Sequence, residues 1–306
     1  MKFKYLMLVL VSLFLVTGVA LADDKVIVTD APTTHHINLY MGIELGIFKK
    51  HGLDVEYVKQ ATAADAVKAV AEGKADLLYN CPTNTILEIA KGAPIKVISQ
   101  VKSPCTSILT VPANSTIKTV KDLSGKKVAG ASPTCEAVVA FLDAAERENA
   151  KFEVVKMTPA DSMAALEKGE VDACILEEPF ASVMELKGNE LKFRELIQVP
   201  CRFLSANTEF LKNKADAAKR FVEALNEINE LYDENPISDE IVDIANKYTG
   251  ASKEAIKHGM VRIHLTTELN VIRIRALMGS LVRVGALKEP LKDEDIFAAE
   301  FKGITW

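Results

Sequence analysis

The chain has 306 residues, with 37 Lys and Arg against 42 Asp and Glu, a formal net charge of −5, and 49% apolar residues. This mild acidity argues against nucleic acid or an anionic membrane surface as a partner. The length exceeds what one core comfortably holds, so two lobes are expected.

The chain opens with the pattern of a Sec signal peptide. Lys2 and Lys4 precede the apolar run LMLVLVSLFLV, and the small-x-small end Gly18-Val19-Ala20-Leu21-Ala22 follows. The run is shorter than the roughly 20 residues of a membrane span, and no cysteine follows it to carry a lipid. Cleavage after Ala22, removing residues 1–22, is expected, with free diffusion of a monomer in a Gram-negative periplasm. Two of the 37 basic residues leave with the leader, so 35 face 42 acidic ones and the balance becomes −7.

Strand-like and helix-like segments then alternate. Lys25–Thr29 is a β-branched strand, and Ile37–Lys50 has helical apolar spacing that ends at His51-Gly52. Leu53–Val58 alternates as a strand, Ala63–Ala71 is an alanine-rich helix, and Ala75–Tyr79 is a buried strand. A helix from about Thr83 to Lys91 stops at Gly92-Ala93-Pro94, and Ile95–Val101 is the next strand. This order predicts a mainly parallel sheet covered by helices. The pattern restarts at Lys127–Gly130, with a helix over Thr134–Glu148 and strands at Phe152–Met157 and Val171–Leu176. From Asp216 the chain reads as mostly helical, without a low-complexity linker.

An internal echo supports two similar halves. Glu72-Gly73-Lys74-Ala75-Asp76 and Lys168-Gly169-Glu170-Val171-Asp172 each close a helix, turn on glycine and open a strand with aspartate. Cys81 and Glu177 both fall five residues beyond those aspartates.

Six segments, MGIELGIFKKHGLDVEYV, AVAEGKADLLY, GAPIKVISQV, TVKDLSGKKVA, ALEKGEVDACILEEPF and NTEFLKNKADAAKRFVEAL, together span nearly all of the chain beyond the leader. In that order the chain resembles the NMT1/THI5-like and sulfonate/nitrate-type substrate-binding proteins of ABC transporters. The resemblance implies an α/β, two-lobed periplasmic-binding-protein fold (Venus flytrap, type II) with two crossover strands, near Lys102–Ser107 and Pro200–Ser205. Lobe 1 is then 23–103 plus 205–306, and lobe 2 is 104–204. It further implies hinge closure on a small ligand and delivery to a membrane permease with its ATPase. A periplasmic sensor on the same fold is the alternative role.

In open α/β sheets ligands bind beyond the carboxyl ends of strands, where loops and helix N-termini converge. That rule sends four of the five cysteines to the cleft. Cys81 follows one strand, Cys135 opens a helix behind Ser132-Pro133-Thr134, and Cys105 and Cys201 lie on the crossovers. Cys174 sits within a strand and reads as core. His35 and His36, between the first strand and first helix, join the set as a hydrogen-bonding pair or as ligands. Cys135 in a first helical turn is expected to have a lowered pKa.

Soft thiolates select Cu(I), Zn or heavier thiophilic species. Cys81, Cys135 and Cys201 are therefore candidate ligands for a soft metal or organometal cargo, with no resident cofactor required. No C-x2-C or H-x3-H pair marks a structural zinc site. A disulfide between Cys105 and Cys201 and an ordinary organic ligand remain open. Tyr40, Tyr79 and Phe180 are candidates to stack on a flat ring, as for a pyrimidine or thiamine precursor. Asn80, Thr83, Asn84, Ser132 and Thr134 suit an anion such as sulfonate or nitrate, whereas Glu177 and Glu178 favour a cation.

The yeast pyrimidine-forming relatives similarly have a histidine near His35 and His36, and a cysteine-rich run near Cys201. This chain has only VPCRFL there, a departure that weighs against synthase chemistry. Cys135 with His35 or His36, oriented by Glu177, is the candidate nucleophile and base of a THI5-like enzyme. No local signature of a cysteine hydrolase accompanies it, so a binding protein rather than an enzyme is expected.

Overall fold

The computed structural model describes residues 23–301 and 304–305, so the expected leader lies outside the described residues. The first half runs β1 (Asp24–Asp30), α1 (Ile37–Glu44), α2 (Ile47–Lys50), β2 (Leu53–Lys59), α3 (Ala63–Ala71), β3 (Leu77–Asn80), α4 (Pro82–Ala90) and β4 (Ile95–Lys102). The second runs β5 (Ile108–Val111), β6 (Lys127–Gly130), α5 (Glu136–Arg147), β7 (Glu153–Lys156), α6 (Pro159–Glu167), β8 (Ala173–Leu176), α7 (Phe180–Leu186) and β9 (Glu190–Lys192). The chain then returns through β10 (Arg202–Asn207) to α8 (Thr208–Glu234), α9 (Asp239–Thr249) and α10 (Lys253–Met260). It closes with β11 (Leu269–Asn270), α11 (Val271–Arg283), α12 (Asp293–Ile296) and β12 (Ile304–Thr305).

Two five-stranded sheets result, in the orders β2-β1-β3-β10-β4 and β7-β6-β8-β5-β9. Each has three parallel strands followed by a reversed one. β10 is antiparallel to β3 and β4, as β5 is to β8 and β9. Each sheet has its own apolar core, since the central strands are buried on both faces and read as continuous apolar runs.

The sequence echo has a physical counterpart. Asp76 Oδ2 accepts from the Ile27 amide at 2.8 Å, and Asp172 Oδ2 accepts from the Lys127 amide at 2.9 Å. In each half an aspartate opens the last of the three parallel strands, β3 or β8, and ties it to the strand beside it. Gly73 and Gly169 take φ values of 70° and 72°, a left-handed turn that only glycine enters without strain.

Two helices differ from the sequence expectation. The segment expected as one helix over Ile37–Lys50 is broken at Gly46, φ 67°, into α1 and α2. The break lets Phe48 fold back to stack on Phe221 of α8 at 4.3 Å. α8 begins at Thr208, capped by the Asn207 side chain, and kinks at Lys214 before the stretch in which the apolar periodicity is plain. Among the described residues no helix is long and apolar enough to cross a membrane.

Candidate functional site

The carboxyl ends of β3 and β6 deliver a cysteine to the N-cap of the following helix. Cys81 precedes α4, whose first position is Pro82, and Cys135 precedes α5. Neither side chain caps its helix, so both thiols are free to point elsewhere. The segment between β4 and β5 supplies Cys105, and Cys201 lies immediately before β10. These two stretches are tied side by side, with the Cys105 amide bonded to Val199 O at 2.9 Å and the Cys201 amide to Lys102 O at 3.3 Å.

All four sulfurs converge on one carboxylate, that of Glu136, which is fully buried. Cys81 Sγ donates to Glu136 Oε2, and Cys135 Sγ lies 3.5 Å from the same oxygen. Cys105 Sγ and Cys201 Sγ lie 3.6 and 3.8 Å from Oε1. Within each pair the sulfurs are no more than 4.8 Å apart. All five cysteines are free thiols, so Cys105 and Cys201 are not joined.

Arg202 holds the carboxylate in place. Its Nη1 donates to Glu136 Oε1 at 2.8 Å, its Nη2 to Glu177 Oε2, and its Nε to His36 Nε2 at 3.1 Å. His36 in turn donates from Nδ1 to Asp30 Oδ2 at 2.7 Å, which fixes its neutral tautomer. Tyr40 and Tyr57 also donate to Asp30, at 2.5 and 2.6 Å. Burial works against the Asp30 charge, but the bonds from His36, Tyr40 and Tyr57 outweigh it and lower its pKa.

His35 is fully buried, and burial with the Lys102 and Arg202 charges keeps its imidazole neutral. Its Nε2 meets Thr106 Oγ1 at 2.9 Å, and its Nδ1 lies 3.5 Å from Glu177 and 3.7 Å from Cys201 Sγ.

The thiol electrostatics correct one expectation. Cys135 is not the acidified thiol: its hydrogen bond with Cys81, its burial and the adjacent Glu136 push its pKa well up. The helix-dipole argument fails because the Cys81 hydrogen bond, burial and the carboxylate in the first position of α5 all oppose ionisation. Burial and the Cys201 neighbour push Cys105 up as well. Burial also opposes ionisation of Cys201, but the hydrogen bond from Cys105 and the charges of Lys102 and Arg202 bring it down to about 7.

The other expected residues divide. Thr83 Oγ1 lies 3.0 Å from Cys81 Sγ, inside the cluster. Ser132 and Thr134 bond to each other at 2.9 Å rather than to the thiols. Tyr40 is stacked on Tyr248 at 4.2 Å and spends its hydroxyl on Asp30, so it offers no open ring face. Tyr79 is buried edge-on to His36, and Phe180 packs on the second core. The trio Cys81, Cys135 and Cys201 does not form one closest set, because Cys201 pairs with Cys105 across the other carboxylate oxygen. The candidate nucleophile–base pair of Cys135 with His35 or His36 is not formed either; the histidine–cysteine contact is His35 with Cys201. Cys174 bonds to Ser162 O at 3.4 Å, and burial raises its pKa to about 12, as suits a core thiol.

Sequence reasoning missed Glu136, Arg202, Asp30, Tyr57 and Lys102. A cavity of about 290 Å3 is bounded by Pro104, Cys105, Ile108, Glu178, Ile197 and Arg262, and of the four clustered thiols Cys105 alone lines it. Contacts between the lobes close the cleft around it. Arg262 donates to Glu178 at 2.7 Å, and Arg283 Nη2 donates to Asp143 at 2.9 Å.

Two sheets with matching orders, joined by paired crossovers and enclosing a polar cleft, define the periplasmic-binding-protein architecture. Solved structures share it: the aliphatic sulphonate binding protein SsuA of Escherichia coli has a TM-score of 0.79 at 19% identity, covering 90% of this chain and 92% of that one. A zinc-bound ligand-binding component of an ABC-type import system from Staphylococcus aureus has a TM-score of 0.77 at 16% identity, covering 91% and 97%.

Residues 33–237 match the NMT1/THI5 like family, and the chain belongs to it. A protein of Brucella abortus named as a binding protein is 26% identical over 281 residues, covering 84% of this chain and 85% of its own length.

Proposed function

We propose that the protein is the substrate-binding component of an ABC importer, and that its ligand is a thiophilic metal or organometal cation held by cysteines in the interlobe cleft. It works in the periplasm after removal of the leader, closes on the ligand, and presents it to a membrane permease with its ATPase. The observation that carries the ligand class is the placing of four thiols within 3.8 Å of one buried carboxylate. Thiolates are the donors that select a soft cation.

A sulfonate is the second reading, in line with the likeness of the fold to the sulphonate binding protein SsuA, but the central cation of this cluster is already engaged. Arg202 is its most central cation, and its donors already meet Glu136, Glu177 and His36. A bare anion there would face those two carboxylates. A pyrimidine would need an open aromatic face, which Tyr40 and Tyr79 do not offer.

The membership in a family that includes binding proteins, together with His35 engaged by Thr106, supports capture without turnover. The test is a thermal-shift and equilibrium-binding screen of anaerobically purified protein against Cu(I), Hg(II), Cd(II), methylmercury, alkanesulfonates, nitrate and aminopyrimidines. A ligand at about 100 times its Kd adds roughly 2.7 kcal/mol of stability. The thiophilic cations are expected to give that shift. A shift with sulfonates or pyrimidines and none with the cations would overturn the ligand class, and time-dependent conversion of a ligand would overturn the binding role.

A further inference from the structure

We propose that Glu136 divides the cysteine cluster into two dithiol half-sites, each taking one soft divalent cation, of which the hinge half-site captures first and the other staples the lobes. This rests on the thiophilic-cation reading and adds a division of labour within the site. The carboxylate is the divider. Oε2 faces Cys81 and Cys135, and Oε1 faces Cys105 and Cys201. The Arg202 Nη1 bond at 2.8 Å keeps it from swinging aside. A carboxylate fixed between two sulfur pairs bridges two cations through its separate oxygens and blocks one cation from gathering all four sulfurs.

The two pairs differ in what holds them together. Cys105 and Cys201 sit on neighbouring hinge segments joined by the Cys105–Val199 and Cys201–Lys102 backbone bonds. Those bonds lie within the crossover itself, so the pair exists with the lobes open or closed. Cys81 follows β3 of the first sheet and Cys135 precedes α5 of the second lobe. Their sulfurs come together only when the lobes meet. A cation can therefore load the hinge pair in the open state, while binding between Cys81 and Cys135 requires and rewards closure. Within the hinge pair, Cys105 lines a cavity of about 290 Å3, whereas Cys201 is fully buried behind it.

In each loading step a divalent cation takes the place of the protons its two thiols still carry: the S–H bonds break, two metal–sulfur bonds form, and the displaced protons go to solvent. Nothing is oxidised or reduced. Proton loss offsets the charge brought in, which matters because a net charge added to a buried site is costly.

The experiment titrates Hg(II) into three proteins under anaerobic conditions: the intact chain, Cys81→Ser/Cys135→Ser, and Cys105→Ser/Cys201→Ser. Native mass spectrometry reads stoichiometry and small-angle scattering reads closure. The intact chain is expected to take about two ions, with proton release on each, and to contract on the second. Cys81→Ser/Cys135→Ser is expected to keep one ion without contraction. Cys105→Ser/Cys201→Ser is expected to take one ion with contraction, loading at least tenfold more slowly.

One ion per intact chain that is lost equally in both double variants would overturn the division and leave the thiophilic reading standing. No binding to the intact chain would overturn both. If either serine variant fails to fold, the corresponding alanine variant is read by the same two measurements, and the stepwise titration of the intact chain decides between one ion and two.

Discussion

Arg202 and Glu136, 66 residues apart in sequence, form a buried ion pair at 2.8 Å, with the arginine on the first sheet and the glutamate at the start of a helix in the second lobe. The pair joins the lobes and fixes the carboxylate around which four thiols collect. Removing one partner of a buried pair leaves the other charge uncompensated, which costs about 3–5 kcal/mol. Arg202→Met is expected to lose that much in denaturant unfolding. Arg202→Met/Glu136→Leu is expected to regain most of it, because Glu177 is partly exposed and remains solvated. A double variant no more stable than the single one would mean that Arg202 acts through other contacts.

Asp30 predicts the acid limb of the stability curve. Its folded-state pKa lies below the ordinary carboxylate value because three donors outweigh its burial. A group depressed in this way contributes stability above its unfolded pKa of about 3.9 and loses it as pH falls through the folded value. Asp30→Asn should therefore cost stability at neutral pH and show a flatter decline between about pH 4 and the folded value. A variant that falls as steeply as the parent would assign the acid sensitivity to other carboxylates.

Closure can be perturbed away from the thiols. Gly259 of α10 faces α7, and a Cβ there would fall 2.6 Å from Glu178 Oε2 and 2.9 Å from Ser182 Oγ. Glu178 is pinned by Arg262 and by the Ser182 hydroxyl, so it has little room to yield. Gly259→Ala should prop the lobes apart, enlarge the radius of gyration, and weaken ligand binding by about tenfold through the reduced closed population. Unchanged scattering and affinity would show that the contact relaxes without moving the lobes.

Thiol ionisation separates the cysteines. The ultraviolet thiolate absorbance is expected to show one step near 7 that Cys201→Ser removes, because Cys105, Lys102 and Arg202 stabilise that thiolate against its burial. Cys135→Ser should leave the step in place, since Cys135 is pushed up instead. Loss of the step in Cys135→Ser with retention in Cys201→Ser would reverse the assignment.

Much of this site could be read from sequence by the position of residues relative to strands. Cys81 and Cys135 follow strand ends, and Cys105 and Cys201 fall where the chain crosses between sheets, so a rule about loops at strand ends brought them together. The paired turns at Gly73 and Gly169, with their aspartates, disclosed the repeated half. Glu136 and Arg202 were not legible in the same way. A glutamate in a first helical turn looks like an ordinary complement to the helix dipole, and an arginine beside a crossover looks solvated. Their burial follows from a contact across lobes that no local pattern carries. The Cys135 pKa departs from the sequence expectation for the same reason: the helix dipole is visible in the sequence, but the thiol and carboxylate crowding the sulfur are not.

The claim that a thiophilic cation occupies this cleft is tested most directly by X-ray absorption at the edge of the bound cation, recorded on the intact, anaerobically loaded protein. The expected first shell is dominated by sulfur with a carboxylate oxygen from Glu136, and its sulfur contribution falls when Cys81 and Cys135 are replaced by serine. A shell of oxygen and nitrogen alone, unchanged by those substitutions, would contradict it.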